Sequence, residues 1–322
     1  MSHASPVYLG LDVGGTKCAV VVGTGSGSVV ARRQWPSRSE RGPDAMIDDL
    51  VSHSRDLMAQ HAAVRSVGVA IGGPLDSETG VIHGPPNLPG WEHVPLKQTL
   101  AERLKVPVFV EHDAAACALA EHRWGAGQGV RVLVYLTCGT GFGAGFILDG
   151  RIYRGAGGRP SDIGHIRYRP DGPDAYGKPG CVESYAAASA LGRLAAWKFP
   201  RFAARPPTSE QVAALAREGD ADALEVLSIS AEAVGDVCAM LADLMYPQLI
   251  LLGSLAHYLG GPWLDQVRAQ FRRESHIEAQ RFCRIEPAGL GAKLQDCSAL
   301  VAAMQVEEAT KGRSDGATKG GG

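Results

Sequence analysis

Residues 7–22 read VYLGLDVGGTKCAVVV. Two short runs rich in β-branched and apolar residues, Val7–Leu11 and Cys18–Val22, flank the turn Asp12-Val13-Gly14-Gly15-Thr16-Lys17. This pattern predicts two strands joined by a glycine turn. Paired glycines in a tight turn expose backbone N–H groups, which together form a concave anion site. Thr16 adds a hydroxyl and Lys17 a positive charge, and Asp12 at the strand end can hold Mg²⁺ or its waters. Taken alone, the turn reads first as an ordinary hairpin.

A second stretch repeats the chemistry. Thr137-Cys138-Gly139-Thr140-Gly141-Phe142-Gly143-Ala144-Gly145 follows the strand-like Arg131–Leu136 and again sets glycines beside threonine hydroxyls. Gly139 to Ala144 also fits G-x-G-x-x-A, but that dinucleotide fingerprint must open a helix. Here Phe142–Leu148 reads as a strand, which disfavours a nicotinamide-dependent dehydrogenase. A G-x-x-x-x-G-K match at 172–178 is followed by Pro179 and has no preceding strand, so it is set aside. Each half opens with a strand, a glycine-threonine turn and a second strand. The outline predicts two related α/β lobes with a ligand cleft between them.

The remaining elements fit this scheme. Val29–Trp35, Val67–Ile71, Val106–Val110, Leu249–Leu252 and Arg281–Glu286 read as strands. Pro43 and Asp44 open a helix carrying Ile47, Leu50, Val51, Leu57 and Met58 at helical spacing. Residues 72–95 are Gly- and Pro-rich and loop-like. Leu96–Leu104, Asp113–Trp124 and Cys297–Val306 read as helices, as do the alanine-rich segments 183–198, 209–216, 221–246 and 262–274. The boundaries expected are a smaller lobe of residues 1–112 plus 293–308, a larger lobe of 113–292, and a disordered polar tail of 309–322. Asp113 sits after a strand and at a helix start. It fits an N-cap, and equally a general base whose ionised form the helix N-terminus favours.

Composition removes whole classes of function. Lys and Arg number 32 against 34 Asp and Glu, a formal charge of -2, so there is no electrostatic footprint for nucleic acid or anionic membrane. The most apolar stretch, Val130 to Leu148, carries Arg131 and four glycines and fails as a membrane span. Seven scattered cysteines with no C-x-x-C pair suit a reducing compartment. MSHASPVYLG lacks the form of a secretory signal. A cytoplasmic protein is expected. Of 41 glycines, 15 fall in residues 125–180 and only 8 in 181–311, so backbone in the middle of the chain is expected to lie close to a ligand.

With the two glycine turns and Asp113 in place, the chain resembles the ROK family of sugar kinases, bacterial glucokinases especially. Gly125-Ala126-Gly127 and Arg154-Gly155-Ala156 add to the likeness, which runs from Val7 to about Val306. The resemblance implies an actin-like ATPase (ribonuclease-H-like) fold in two lobes that close on ATP and sugar. It implies Asp113 as catalytic base. Asp12, Gly14, Gly15, Thr16, Lys17, Thr137, Gly139, Thr140, Gly141 and Gly253 would serve ATP, with Asp12 toward Mg²⁺. Gly73, Asn87, His112, Asp113, Asp162, His165 and Glu183 would serve the sugar. The family tends to form dimers or tetramers, so a homo-oligomer is expected.

Four departures stand out. His112 replaces the family's usual Asn, and Asp162 replaces the Glu of its E-x-G-H motif. Ser254 and Leu255 replace two of three glycines after Leu249–Leu252. Of the His and three Cys that hold a structural zinc in many relatives, only His165 and Cys181 remain, too few for a tetrahedral site; no zinc is expected. The resulting expectation is ATP-dependent phosphorylation of a primary hydroxyl on a hexose. An amino sugar (glucosamine or kanosamine) or a C7-cyclitol is the rival substrate. A non-catalytic sugar-binding regulator is a remoter reading. A DNA-binding repressor is disfavoured because the first strand begins at Val7.

Overall fold

The computed structural model describes residues 6–61 and 64–317, with side chains through Gln305. The chain divides into two compact units. One comprises Met1–Trp124, Arg154–Pro160 and Ala292–Gly322; the other comprises Gly125–Tyr153 and Ser161–Gly291.

In the first unit the opening stretch folds as β1 (Val7–Val13) and β2 (Lys17–Thr24), antiparallel, with Val13 opposite Cys18. The meander continues into β3 (Val29–Pro36). A parallel partner for β1 needs a crossover. The helix Gly42–Gln60 supplies it, burying Met46, Ile47, Leu50, Val51 and Leu57 along one stripe. It leads to β4 (Val64–Ile71), parallel to β1. The 72–95 segment is not all loop. It holds a small antiparallel sheet of β5 (Leu75–Asp76), β6 (Val81–His83) and β7 (Glu92–Val94). The pairing was hidden because each strand is only two or three residues long. The helix Leu96–Leu104 then leads to β8 (Val108–His112), parallel to β4. The main sheet runs β3-β2-β1-β4-β8.

The helix Leu294–Ala317 lies on this sheet. Gly68 makes the approach feasible: a Cβ there would sit 2.1 Å from the Ala303 amide nitrogen. The helix extends well beyond Cys297–Val306. Residues 309–317 continue it, contrary to the expected disordered tail, because extending a packed helix costs far less than starting one. Residues 318–322 of that tail lie outside the described residues. The helix Asp113–Trp124 also belongs to the first unit, so the division falls after Trp124 and not at 112/113. Small residues decide this: Ala116 packs against Ala70 of β4 and Ala299 of the long helix.

The second unit builds the same sheet again. β9 (Val132–Leu136) and β10 (Ala144–Leu148) are antiparallel around the second glycine turn, and β11 (Arg151–Ile152) extends the meander. β12 (Leu249–Leu252) and β13 (Arg284–Pro287) add parallel strands on the other side of β9. The order β11-β10-β9-β12-β13 reproduces that of the first sheet, position for position and direction for direction. Leu249–Leu252 is an unbroken apolar run because all four residues are buried. β10 starts two residues later than expected, since Phe142 and Gly143 belong to the turn. The long helix Ala221–Met245 is capped by the Asp220 carboxylate, and Ser209–Arg217 opens with a Thr208–Gln211 capping box. All seven cysteines are free and buried.

Candidate active site

The first unit gathers nine of the predicted residues at the ends of β1, β4 and β8. Gly14 N–H donates to the Lys17 carbonyl at 3.1 Å, closing the first turn. Ser37 braces it from β3's end, its N–H on Thr16 O at 3.0 Å and its hydroxyl on Gly15 O at 2.6 Å. Thr16 and Lys17 stay exposed. Gly15 has to be glycine: a Cβ would fall 2.4 Å from Asn87 O and 2.8 Å from Asn87 Cβ. The residue expected to bind sugar therefore packs on the turn expected to bind phosphate. Gly73 follows β4, and a Cβ there would meet the His112 ring at 3.2 Å.

β4 and β8 are parallel and in register, with Ile71 opposite His112, so His112 ends its strand beside Gly72-Gly73. Asp113 begins the next helix. Its Oδ1 accepts the Ala114 N–H at 2.6 Å and lies 3.4 Å from His112 Nε2, while the side chain stays 43% exposed. His112 is buried, and its Nδ1 has no hydrogen-bond partner. The other ring nitrogen, Nε2, is the one that faces Asp113. Asp12 ends β1. Burial, and next the negative charge of Asp113, push its carboxyl up to about 7, with Lys17 opposing. A carboxylate so starved of positive charge suits a divalent cation.

The second unit gathers the remaining eight. Thr137 Oγ1 accepts the Gly143 N–H at 2.9 Å and lies 3.3 Å from Gly141 O, so this hydroxyl is committed to building the turn. Gly139 N–H is likewise used, on Gly141 O at 3.0 Å. Thr140 is exposed and its carbonyl is held by the Ser189 hydroxyl. Gly253 N–H reaches Leu136 O at 2.8 Å, and Ser254 and Leu255 donate their N–H groups to Thr137 and Cys138 carbonyls, both at 3.2 Å. The altered glycine motif thus still docks on the second turn, with Leu255 turned into the core. A cavity of about 400 Å³ opens beside Thr140, lined in part by Ser189, Arg193, Pro207 and Thr208.

Glu183 lies in the short helix Val182–Ala186. Its Oε2 accepts the Phe142 N–H at 2.8 Å and would be 2.9 Å from a Cβ on Gly141. Its Oε1 is buried with no partner. Burial raises this carboxyl above the usual range, against the Phe142 N–H and the Arg193 charge. Asp162 and His165 flank the turn Ile163–His165 and are exposed, and both act on the Glu183 charge. Cys181 is buried with Sγ 3.2 Å from Ser184 Oγ, and Lys178 Nζ donates to the His165 carbonyl. Among the described residues no group of three or more His, Cys, Asp or Glu side chains is disposed to hold a metal ion.

Sequence reasoning gave no role to Glu111, Arg154 or Ser77, which form a cluster behind His112 with Glu111 and Ser77 buried and Arg154 half-buried. One signal was available: a charged residue ends the apolar run Val108-Phe109-Val110, where only a partnered charge is tolerated.

A sequence profile of the ROK family matches residues 8–305. The chain belongs to the ROK family. Among its relatives is a glucokinase from Halalkalibacterium halodurans, 31% identical over 282 residues, which are 82% of this chain and 84% of that protein. The crystal structure of a ROK hexokinase from Thermus thermophilus superposes with a TM-score of 0.81 at 31% identity, covering 94% of this chain and 99% of that one. A ROK family glucokinase from Streptomyces griseus, solved in complex with glucose and AMPPNP, gives 0.80 at 30% identity, covering 93% and 99%. The two-lobed, actin-like ATPase fold expected from the sequence is the fold of this ROK protein. No helix among the described residues of this ROK protein is long and apolar enough to cross a membrane.

Proposed function

We propose that this ROK protein is an ATP-dependent hexose kinase of the glucokinase type, transferring the γ-phosphoryl group of ATP to a primary hydroxyl. The arrangement of Asp113 carries the reading. One carboxylate oxygen is pinned by the Ala114 N–H, with His112 Nε2 alongside, and the other is left for the acceptor hydroxyl. Asp113 takes the hydroxyl proton as that oxygen attacks phosphorus in line. The turns at 14–17 and 139–141 supply N–H and hydroxyl donors to the phosphates, and Lys17 adds charge. Asp12 would hold Mg²⁺, which when bound neutralises phosphate charge. The cavity beside Thr140 would take the nucleoside end.

For the sugar, Gly73, Asn87, His112, Asp162, His165 and Glu183 are the proposed ligands. Glu183 Oε1 is the most telling of these atoms: a buried, partnerless acceptor suits a sugar hydroxyl. Glu183→Gln is expected to raise the sugar KM about tenfold or more while leaving the ATP KM within a factor of two. Steady-state kinetics with each substrate varied checks this, and an unchanged sugar KM would remove Glu183 from the site.

His112 and Asp162 favour a second substrate reading, an amino sugar such as glucosamine or kanosamine, or a C7-cyclitol. A polar pocket discriminates strongly, because an unmatched substrate leaves its groups unpaired. An ADP-release screen over hexoses, amino sugars and cyclitols separates the two. Glucose with the highest kcat/KM supports the first reading, and an amino sugar or cyclitol ahead by tenfold replaces it.

The proposed setting is the cytoplasm, and the proposed state is a homodimer or homotetramer. Met240, Leu244, Tyr246, Ile277 and Phe282 are 51, 79, 44, 59 and 60% exposed, an unusual share of apolar surface. Met240 and Leu244 lie on the helix Ala221–Met245, Tyr246 follows it, and Ile277 and Phe282 lie on the helix Ile277–Phe282; the His276 N–H donates to Asp243 Oδ1 at 2.9 Å and ties the two. Light scattering should return a multiple of 33.8 kDa; a monomer at all concentrations would contradict this.

A further inference from the structure

The candidate base stands on a strand end whose position is set from behind. Glu111 precedes His112 and Asp113 and is only 1% exposed. Its Oε1 accepts two N–H or O–H groups, the Ser77 hydroxyl and the His112 backbone N–H, both at 2.9 Å. Its Oε2 accepts from Arg154 Nη2 and, at 3.4 Å, from Gln305 Nε2. Arg154 also donates to Gln305 Oε1 at 2.7 Å, and its guanidinium lies 5.8 Å from the Phe109 ring centroid.

We propose that Arg154, acting through Glu111, is a positioning residue for Asp113; this rests on the kinase reading above. The His112 amide belongs to the strand end that carries Asp113, and it is bound to a carboxylate that cannot move without abandoning its cation. A buried carboxylate stripped of its cation is strongly destabilised, so it protonates or rotates toward water. Either outcome releases its hold on the strand end.

The same carboxylate links three further parts of the unit. Ser77 follows β5, just past the Gly73-Pro74 turn that abuts His112. Arg154 begins the segment Arg154–Pro160, which packs back on that turn: Ser77 N–H donates to Gly158 O at 3.3 Å, and Pro160 lies 3.5 Å from a Cβ built on Gly73. Gln305 comes from the long C-terminal helix. The network therefore ties the base, the proposed sugar loop, the 154–160 segment and that helix into one rigid frame. Within it, Arg154 pairs its positive charge directly with the Glu111 carboxylate.

The test pairs kinetics with amide exchange. Arg154→Met should lower kcat about 30- to 100-fold, the scale of a misplacement near one ångström, with the ATP KM within threefold. Exchange at the His112 amide should accelerate at least about tenfold, a local opening. In the Arg154→Met/Glu111→Gln double variant no charge is left buried, and the Gln side chain can donate to the Gln305 Oε1 that Arg154 vacated. That variant should recover at least about tenfold in kcat over Arg154→Met and restore the His112 protection. Arg154→Lys should fall between wild type and Arg154→Met. A kcat loss that only follows the folded fraction, measured by circular dichroism, overturns the proposal, as does a double variant no better than Arg154→Met. Should the wild-type protein phosphorylate nothing, the kinase reading fails while the exchange data still decide whether Arg154 holds the strand end.

Discussion

Asp113→Asn is expected to lower kcat by about 10²–10⁴-fold, the usual contribution of a general base. The substitution is nearly isosteric, and the side chain is 43% exposed. Its Oδ1 can still accept the Ala114 N–H, so the helix start keeps its cap. The melting temperature should therefore shift little, and the KM values for ATP and sugar should stay within a few-fold. The defect is thus in proton acceptance alone. Kinetics and thermal unfolding of the same preparation check it together. Turnover within threefold of wild type would remove Asp113 from the chemistry. A large loss accompanied by unfolding would leave its role structural.

Asp12→Asn should do two opposite things. It should cut kcat about 10²-fold and raise the Mg-ATP requirement, because the group facing the cation loses its charge. It should also stabilise the ligand-free protein. The Asp12 carboxyl rises from 3.8 in the unfolded chain to about 7 in the fold. The folded state therefore binds this proton more tightly than the unfolded chain does. That contribution is complete below about pH 4 and is lost as pH climbs through 7. At ~1.4 kcal/mol per pKa unit, the wild type gives up at most about 4 kcal/mol over this window. The Asn variant has no such titration. Its melting temperature should match wild type near pH 4 and exceed it by several degrees at pH 8. Saturating Mg-ATP should narrow the gap by stabilising the wild type. Equal melting temperatures at pH 8 would contradict an unneutralised Asp12.

The legible parts of the fold and the hidden parts differ for physical reasons. The paired strands around each glycine turn could be read because buried strands are apolar runs and turns need Gly. The doubling of the sheet could be read in outline, since both halves use the same strand-turn-strand opening. The length of the last helix could not, because propagation from a packed segment ignores side-chain polarity. The membership of Asp113–Trp124 also could not be read. It depends on Ala116 meeting Ala70 and Ala299, three alanines far apart in the chain. In the candidate site, the Gly14-Gly15 turn was legible from its residues, whereas Asn87 and Glu183 rested on resemblance; that Gly15 packs on Asn87 and Gly141 on Glu183 is a tertiary fact no local pattern shows. The internal role of Thr137 rests on hydrogen bonds within its own turn, which glycine spacing does not reveal. At Glu111 a charge closing an apolar run signals a partner, but Ser77, Arg154 and Gln305 come from distant segments that no local pattern names.

The central claim is phosphoryl transfer from ATP to a hexose hydroxyl with Asp113 as base. The most direct measurement is product analysis of wild type and Asp113→Asn incubated with Mg-ATP and hexose, following ADP and sugar phosphate together by mass spectrometry. The account predicts one sugar monophosphate per ADP with the wild type and near-total loss of both with the variant. Equal sugar phosphate from both proteins, or ADP released with no sugar phosphorylated, would contradict it.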